Sequence, residues 1–432
     1  MTSFSDLGLI EPLLRALTAE GYAVPTPIQS QAIPLLLQGR DMLGIAQTGT
    51  GKTAAFALPI LQRMAANRVK AAPRCPRTLV LTPTRELAVQ IGEGFATYGK
   101  HLGFKRTVVY GGVGQGAQVS AMNAGVDILV ATPGRLLDLM NQRHINLQHV
   151  EFLVLDEADR MLDMGFIRDV KVIVSKIVAA RQTLLFSATM PEAVMSLAKG
   201  ILKDFERIEV TPPATTVERI VQRVMFVARD DKRRLLTELL NDKSVTRALV
   251  FTRTKHAANR VAEQLIKNGV SADAIHGNKS QNARQRSLDA FKSGKARVLV
   301  ATDIAARGID VDGISHVINY ELPADAESYV HRIGRTARAG MSGAAISFCD
   351  ADEVGDLRAI ERLTRQTITV DTGHAFHAAH IATRSERSGP SRPSGRPNGR
   401  PNGGYGQKPG NRGGRGGSGG GGRPWENRSR AA

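Results

Sequence analysis

Short apolar, β-branched runs alternate with longer amphipathic stretches along this chain, and the alternation is interrupted once, near the middle. The runs Thr78-Leu-Val-Leu-Thr82, Asp127-Ile-Leu-Val-Ala131, Phe152-Leu-Val-Leu-Asp156 and Thr183-Leu-Leu-Phe-Ser187 carry too little polarity for strands with one wet face. They read as strands buried on both faces, the mark of a parallel sheet covered by helices. A run followed by helical periodicity is one βα unit, and its repetition gives a doubly wound α/β sheet. Thr211-Pro-Pro-Ala-Thr-Thr216 breaks the series, because its prolines can neither continue a helix nor pair within a central strand. The alternation then restarts with Ala248-Leu-Val-Phe-Thr252, Arg297-Val-Leu-Val-Ala-Thr302 and His316-Val-Ile-Asn-Tyr320, with helices expected over 257–268 and 282–292. An amphipathic stretch over 352–364 closes the second series. The pattern predicts two α/β domains in tandem, 1–208 and 218–370, joined by a linker at 209–217.

The formal charge of +18 calls for a polyanionic partner: nucleic acid, an acidic membrane surface or an acidic protein. That charge is uneven. Beyond Ser385 the periodicity is lost, and residues 381–432 hold ten arginines and one lysine against Glu386 and Glu426, half of the whole excess. Fifteen glycines and six prolines in the same stretch leave too little apolar surface to offset ordering entropy. The segment 371–432 is therefore expected to be a disordered basic tail that either tethers a polyanion without reading it or serves as a solubilising extension, with Tyr405 and Trp425 as its aromatic groups able to stack on bases. No apolar run approaches the roughly 20 residues of a membrane span, so no membrane partner is expected. The first residues lack the pattern of a secretory signal. Cys75 and Cys349 stand alone, without a CxxC or Cys/His cluster, so neither zinc nor a disulfide framework is expected and a cytoplasmic location fits.

Ala46-Gln-Thr-Gly-Thr-Gly-Lys-Thr53 lies between an apolar stretch and the helix-forming Ala54-Ala-Phe-Ala-Leu58. Glycines let backbone N–H groups point into a phosphate nest, a lysine reaches the β- and γ-phosphates, and a hydroxyl serves Mg²⁺. Thr48, Gly49, Thr50 and Gly51 fit the nest, and Lys52 and Thr53 the last two roles. About a hundred residues on, Asp156 and Glu157 stand at the carboxyl end of an apolar run, where open α/β sheets bind ligands. Asp156 suits Mg²⁺, directly or through water, and Glu157 suits orienting and deprotonating an attacking water.

Taken in order, these segments resemble the DEAD-box RNA helicases from about Phe4 to about Arg365, with Asp156-Glu-Ala-Asp159 spelling the family's name. The resemblance implies two RecA-like domains, with ATP and Mg²⁺ as cofactors and RNA, structured or duplex, as partner. It also implies RNA-stimulated ATP hydrolysis coupled to local, non-processive separation of short duplexes or to ribonucleoprotein remodelling. Gly21-Tyr-Ala-Val-Pro-Thr-Pro-Ile-Gln29 resembles the Q motif, which makes Gln29 the adenine reader and Phe4, 17 residues before Gly21, the stacking aromatic. Ala46 in place of the usual first glycine is characteristic of the family's phosphate loop.

The remaining motifs carry further roles by the same resemblance. Arg85 in Pro83-Thr-Arg-Glu-Leu-Ala88, Gly112 after Gly111, and Thr132 and Arg135 in Thr132-Pro-Gly-Arg135 match the first domain's RNA contacts. Arg253, the pair Gln281 and Arg284, and Thr302 match those of the second. Such groups grip phosphate and 2′-OH rather than bases. Ser187 and Thr189 are expected near Asp159, coupling hydrolysis to strand separation, with His331 as a further coupling residue. Gly308 and Asp310 match nucleotide contacts, and Arg335 and Arg338 match arginine fingers; Ala337 stands where the family commonly has glycine.

Asp156-Glu-Ala-Asp-Arg-Met-Leu-Asp-Met-Gly-Phe166, Val250-Phe-Thr-Arg-Thr-Lys-His256 and Ile275-His-Gly-Asn-Lys-Ser-Gln281 resemble the bacterial RhlE branch. That branch implies ribosome assembly or mRNA turnover, with ribosomal precursors or the RNA-degradation machinery as partners. Two functions compete with this reading: a DNA-directed motor on the same two domains, and an ATP-independent RNA chaperone that anneals strands through the basic tail. The Q motif and DEAD spelling argue against the first, and the set Lys52, Glu157 and Arg335 against the second.

Overall fold

The computed structural model describes residues 3–47, 49–210, 220–306, 311, 313–337 and 343–381. The first lobe is built on β1 (Met42–Ile45), β2 (Thr78–Leu81), β3 (Arg106–Val109), β4 (Ile128–Ala131), β5 (Phe152–Leu155), β6 (Gln182–Ser187) and β7 (Glu206–Glu209). All pair in parallel, in the order β3-β4-β2-β5-β6-β1-β7. Because successive side chains point to opposite faces, each central strand feeds two cores. Val80, Val130, Val154, Leu184 and Phe186 join one cluster, and Leu79, Leu129, Leu153 and Leu185 the other. That two-sided burial is why these strands are legible as unbroken apolar runs.

The second lobe repeats the plan with β8 (Ile220–Phe226), β9 (Ala248–Thr252), β10 (Ala272–Ile275), β11 (Val298–Thr302), β12 (His316–Asn319), β13 (Gly343–Cys349) and β14 (Thr369–Val370). Its order, β10-β11-β9-β12-β13-β8-β14, is that of the first sheet with every index raised by seven, and all of its pairings are parallel. Side-chain caps start the helices that follow these strands: Thr84 accepts from Leu87 N–H, Thr254 from Ala257 N–H, and Ser280 from Ala283 N–H. The expected helices appear as Lys255–Lys267, Gln281–Lys292 and Val354–Thr364.

The domain boundaries need two adjustments. β7 runs to Glu209 and Val210 N–H donates to Ile45 C=O at 2.9 Å, so the first lobe ends two residues later than expected. Most of the expected linker, from residue 211, lies outside the described residues. At the other end, the ordered part extends well past the expected boundary at 370. Asp371 N–H donates to Val224 C=O, Ala378 N–H donates to Phe226 C=O, and Ile381 is 2% exposed inside the second lobe's core. Ala378 and Ile381 bury enough apolar surface to hold a segment whose composition alone looked too polar to order. The rest of the expected tail, from residue 382, lies outside the described residues. No helix among the described residues is long and apolar enough to cross a membrane.

Candidate functional site

The strand order places β5, β6 and β1 side by side, so the phosphate-type loop, the Asp156-Glu157 step and the Ser187–Thr189 turn leave the same sheet edge. Gly49 and Gly51 take the left-handed region, with φ of 86° and 89°, which favours glycine. Gly51 also needs its missing side chain, because a Cβ there would lie 2.4 Å from Gln29 Nε2. Lys52 opens the helix Lys52–Ala66 and reaches back across the loop to donate from Nζ to Ala46 C=O at 3.0 Å. Thr50 Oγ1 donates to Gln47 C=O at 2.8 Å. Thr48 lies outside the described residues.

A cavity of about 350 Å³ opens over this loop, lined among others by Tyr22, Gln29, Gly49, Lys52, Thr53, Asp156 and Glu157. Gln29 is buried, its Oε1 accepting from Thr26 N–H at 2.9 Å and its Nε2 donating to Gly51 C=O at 3.1 Å. A primary amide has two donors and two lone pairs, so one of each remains for a base edge. Phe4 is not among the residues lining this cavity. It is 4% exposed and packs edge-on against Tyr22, with ring centroids 6.5 Å apart, whereas Tyr22 itself lines the cavity and is 41% exposed. Tyr22 packs against Phe4 and against Tyr98, which also lines the cavity and whose centroid lies 6.1 Å away. Tyr22 stands next to Gly21 in the Q-type segment, and nothing but its residue type marks it in the sequence.

Asp156 and Glu157 sit at 3% and 2% exposure. Burial pushes the Asp156 carboxyl up to about 6, against the opposing pull of Lys52. A buried oxygen donor short of positive charge, on the same cavity as the Thr53 hydroxyl, fits a hard divalent cation such as Mg²⁺. Glu157 adopts φ 55° and ψ 53° at the N-terminus of the helix Ala158–Asp163, turning its carboxylate to Arg160 Nη1 at 2.7 Å. Burial works against its ionised form, yet Arg160, Lys52 and Arg335 together hold its carboxyl below the usual value. Asp159 behaves alike: burial is outweighed by hydrogen bonds to its Oδ2 from Thr189 N–H at 2.9 Å and Thr189 Oγ1 at 3.0 Å. Ser187 Oγ accepts from Asp159 N–H at 3.2 Å, which brings the three expected coupling residues of the first lobe together.

From the second lobe, Arg335 is 4% exposed, on the turn after the helix Ala326–Ile333, and its Nε donates to His331 C=O at 3.3 Å. His331 and Arg335 share a small cavity with Arg160 of the first lobe. Beside them, Arg332 is fixed in a bidentate pair to Asp303 at 2.6 and 2.7 Å and lies 5.0 Å over the Phe251 ring. Ala337, with φ 55°, shows the backbone reason for the family's glycine. Gly308, Asp310 and Arg338 lie outside the described residues.

The expected RNA contacts divide into two groups. Arg85 lies directly on the backbone of Gly112, where a Cβ would meet Nη1 at 2.3 Å, and Gly112 has φ 81°. Arg135 donates twice to Val113 C=O at 3.3 Å, and Thr132 precedes the helix Pro133–Asn141. Thr302 ends β11 beside Thr252. The others make ion pairs and hydrogen bonds within the protein. Arg284 Nε donates to Glu86 Oε1 at 2.9 Å, and Gln281 Nε2 donates to the same oxygen at 3.2 Å while its Oε1 accepts from Arg85. Gln281 and Arg284 thus bridge one lobe to the other through Glu86 and Arg85. Glu86, unassigned in the sequence reading, is the buried anchor of that bridge. Arg253 is likewise an internal staple, with Nη2 on Asp356 at 2.5 Å and Nε donating to Leu322 C=O. Gly112→Ala should displace Arg85 and, at about the worth of one charged hydrogen bond, weaken single-stranded RNA binding about tenfold. Fluorescence anisotropy on a labelled oligonucleotide would show it, and unchanged affinity would remove Arg85 from the RNA face.

Comparison with known proteins agrees with this geometry. The DEAD/DEAH box helicase family matches residues 26–197, and the helicase conserved C-terminal domain matches 231–340. The chain is 44% identical over 366 residues to the DEAD-box ATP-dependent RNA helicase CshA of Bacillus cereus, covering 85% of this chain and 69% of that one. It is 46% identical over 368 residues to the ATP-dependent RNA helicase DeaD of Klebsiella pneumoniae, covering 85% and 56%. Among solved structures, S. cerevisiae Dbp5 bound to RNA and ADP BeF3 matches with a TM-score of 0.76 and 33% identity, over 90% of this chain and 99% of that one. Mss116p bound to ssRNA and AMP-PNP matches with a TM-score of 0.78 and 27% identity, over 89% and 82%.

Proposed function

The chain belongs to the DEAD-box ATP-dependent RNA helicases, and from that premise we infer that it hydrolyses ATP to remodel RNA. The observation that carries this reading is one cavity shared by Lys52, Thr53, Asp156 and Glu157, with Arg335 acting on Glu157 from the second lobe. The base lies against Tyr22 with Gln29 at its edge, and the phosphates lie in the Gly49–Gly51 turn against Lys52. Thr53 and Asp156 would hold Mg²⁺, which supplies charge neutralisation to the phosphates. Glu157 takes the proton of the attacking water, and Arg335 faces the charge that builds on the transferring phosphoryl group.

Hydrolysis needs both lobes, so whatever favours their approach favours turnover. RNA does so if it binds the approached lobes more tightly than the separated ones, and ATP is bound to show the reciprocal effect. Asp159, tied to Ser187 and Thr189, links the phosphate end of the cavity to that closure. Gripping one strand by its backbone through Arg85, Gly112, Thr132, Arg135 and Thr302 gives local opening of short duplexes without reading sequence. This separates the motor from an ATP-independent chaperone, which needs none of these residues.

The finer assignments follow from sequence. RhlE-branch membership, with ribosomal precursors or the RNA-degradation machinery as partners, is proposed on the segments at 156–166, 250–256 and 275–281, and a cytoplasmic location on the isolated cysteines Cys75 and Cys349. The basic stretch beyond residue 381 is proposed to raise the local concentration of RNA. Glu157→Gln should leave ATP and RNA binding intact and lower RNA-stimulated turnover about 10²-fold or more, the usual worth of a positioned base. A steady-state ATPase assay with saturating RNA measures it; near wild-type turnover would remove Glu157 from that role.

A further inference from the structure

We propose that Tyr98 is a positioning residue of the nucleotide site, holding the ring of Tyr22 in the orientation that the base meets. The inference rests on the reading that the base lies against Tyr22. That ring is 41% exposed, on a turn entered through Gly21 at φ 74°, so packing alone restrains it on few sides. Tyr98 stands at the opposite extreme: it is 7% exposed, ends the helix Arg85–Tyr98 and belongs to the first lobe's core. The two rings meet edge-on at an interplanar angle of 62°, a geometry that their quadrupoles favour. Their hydroxyls lie 3.4 Å apart, longer than a usual O–H···O bond, so the ring contact carries most of the hold. Burial and the Tyr22 hydroxyl both push the Tyr98 phenol above its ordinary value, so it stays protonated and able to share a hydrogen with Tyr22.

The helix that carries Tyr98 is itself a wall of the site. Leu87, Gln90, Gly94 and Tyr98 all line the cavity, and their spacing of three, four and four residues places them on one helix face. Gly94 lets that face come close, because a Cβ there would lie 3.1 Å from Thr53 Cγ2 and 3.5 Å from Tyr98 Cε2. One helix therefore seats Tyr98 against the ring at the base end and, a turn earlier, abuts the threonine at the phosphate end. Phe4, the other ring packed on Tyr22, does not line the cavity, whereas Tyr98 both touches Tyr22 and borders the space the nucleotide takes. The segment Pro83-Thr-Arg-Glu-Leu-Ala88, which opens this helix, ends ten residues before Tyr98, so the role comes from the fold.

Nucleotide binding by the full chain tests this. Tyr98→Leu should raise KM for ATP, and weaken binding of a fluorescent non-hydrolysable ATP analogue, about tenfold, the usual worth of one aromatic pair and one hydrogen bond. RNA-stimulated kcat at saturating ATP should change far less, since Tyr98 does not act on the phosphates. Inorganic tripolyphosphate, which has no base, should compete equally well with the analogue on variant and wild type; a merely structural defect would weaken both ligands. Tyr98→Phe keeps the ring and should stay within about threefold of wild type, and Tyr98→Met repeats the larger change so that a folding defect of one replacement does not decide the result. Unchanged ATP affinity in the Tyr98→Leu and Tyr98→Met variants, or a loss that tripolyphosphate shares, would overturn the proposal. Tyr22→Ala keeps that failure apart from failure of the reading beneath it: wild-type ATP affinity in Tyr22→Ala would show that the base does not lie against Tyr22.

Discussion

Arg335→Ala should lower RNA-stimulated ATP hydrolysis about 10³-fold or more, the usual contribution of an arginine that meets the transferring phosphoryl group. ATP should still bind, because the cavity that takes it is lined by first-lobe residues such as Gln29, Lys52 and Asp156. The difference arises because Arg335 belongs to the second lobe and its charge reaches Glu157 only across the cleft. What remains of the activity should no longer respond to RNA, since lobe approach then brings nothing to the phosphates. Affinity for an ATP analogue without RNA, measured beside kcat with and without RNA, resolves the two effects. A variant whose RNA-stimulated kcat lies within about tenfold of wild type would show that Arg335 is not the finger.

Lys232→Met should destabilise the second lobe by about 3–5 kcal/mol, the cost of stranding buried carboxylates. Lys232 is 2% exposed and pairs with Asp350 Oδ2 at 3.0 Å and with Glu353 Oε2. Glu353 Oε1 accepts from Leu322 N–H at 3.0 Å, and Arg253 Nη2 lies 3.5 Å from the same oxygen, so one carboxylate ties together the ends of three elements. Burial already raises the Glu353 carboxyl above its ordinary value in spite of Lys232. A carboxyl raised on folding contributes stability at low pH that is lost as pH rises through its folded value. Without Lys232 that value rises further, so the deficit of the variant should grow with pH and shrink in acid. Denaturant unfolding at several pH values would reveal the trend; a deficit independent of pH would mean that the lost packing of the lysine stem, not its charge, carries the effect. Adding Glu353→Gln should restore part of the loss.

The legible part of the fold was its centre. Strands buried on both faces, such as Leu79 to Leu81 of β2 and Leu153 to Leu155 of β5, contain little but apolar residues. The edges were not legible. β7 reads Glu-Arg-Ile-Glu and β3 begins with an exposed arginine, because an edge strand needs only one buried face. β1 was obscured by Gly44, whose missing Cβ makes room for the Phe186 ring at 2.7 Å. At the site, Gln29, Lys52, Thr53, Asp156 and Glu157 meet in one cavity because short contiguous motifs carry them. The pairing of Gln281 and Arg284 with Glu86, and of Arg253 with Asp356, joins segments far apart in the chain and has no mark in the sequence. Tyr22 stands beside Gly21 in sequence, and only the fold shows that it lines the same cavity as Gln29 and Lys52.

The matching strand order of the two sheets bears on how many nucleotides one chain can hold. In the first lobe, the helix after β1 opens on Lys52; in the second, the helix after β8 opens on Lys232. The two lysines occupy equivalent stations, but Gly51 precedes the first and Asp231 precedes the second. The cation that would greet a phosphate is instead neutralised by Asp350 and Glu353 of its own lobe. The second lobe thus carries a built-in surrogate anion where the first awaits ATP. The station where the first lobe carries its phosphate-type loop is filled by carboxylates in the second, and one nucleotide per chain is the stoichiometry that titration with an ATP analogue is expected to give.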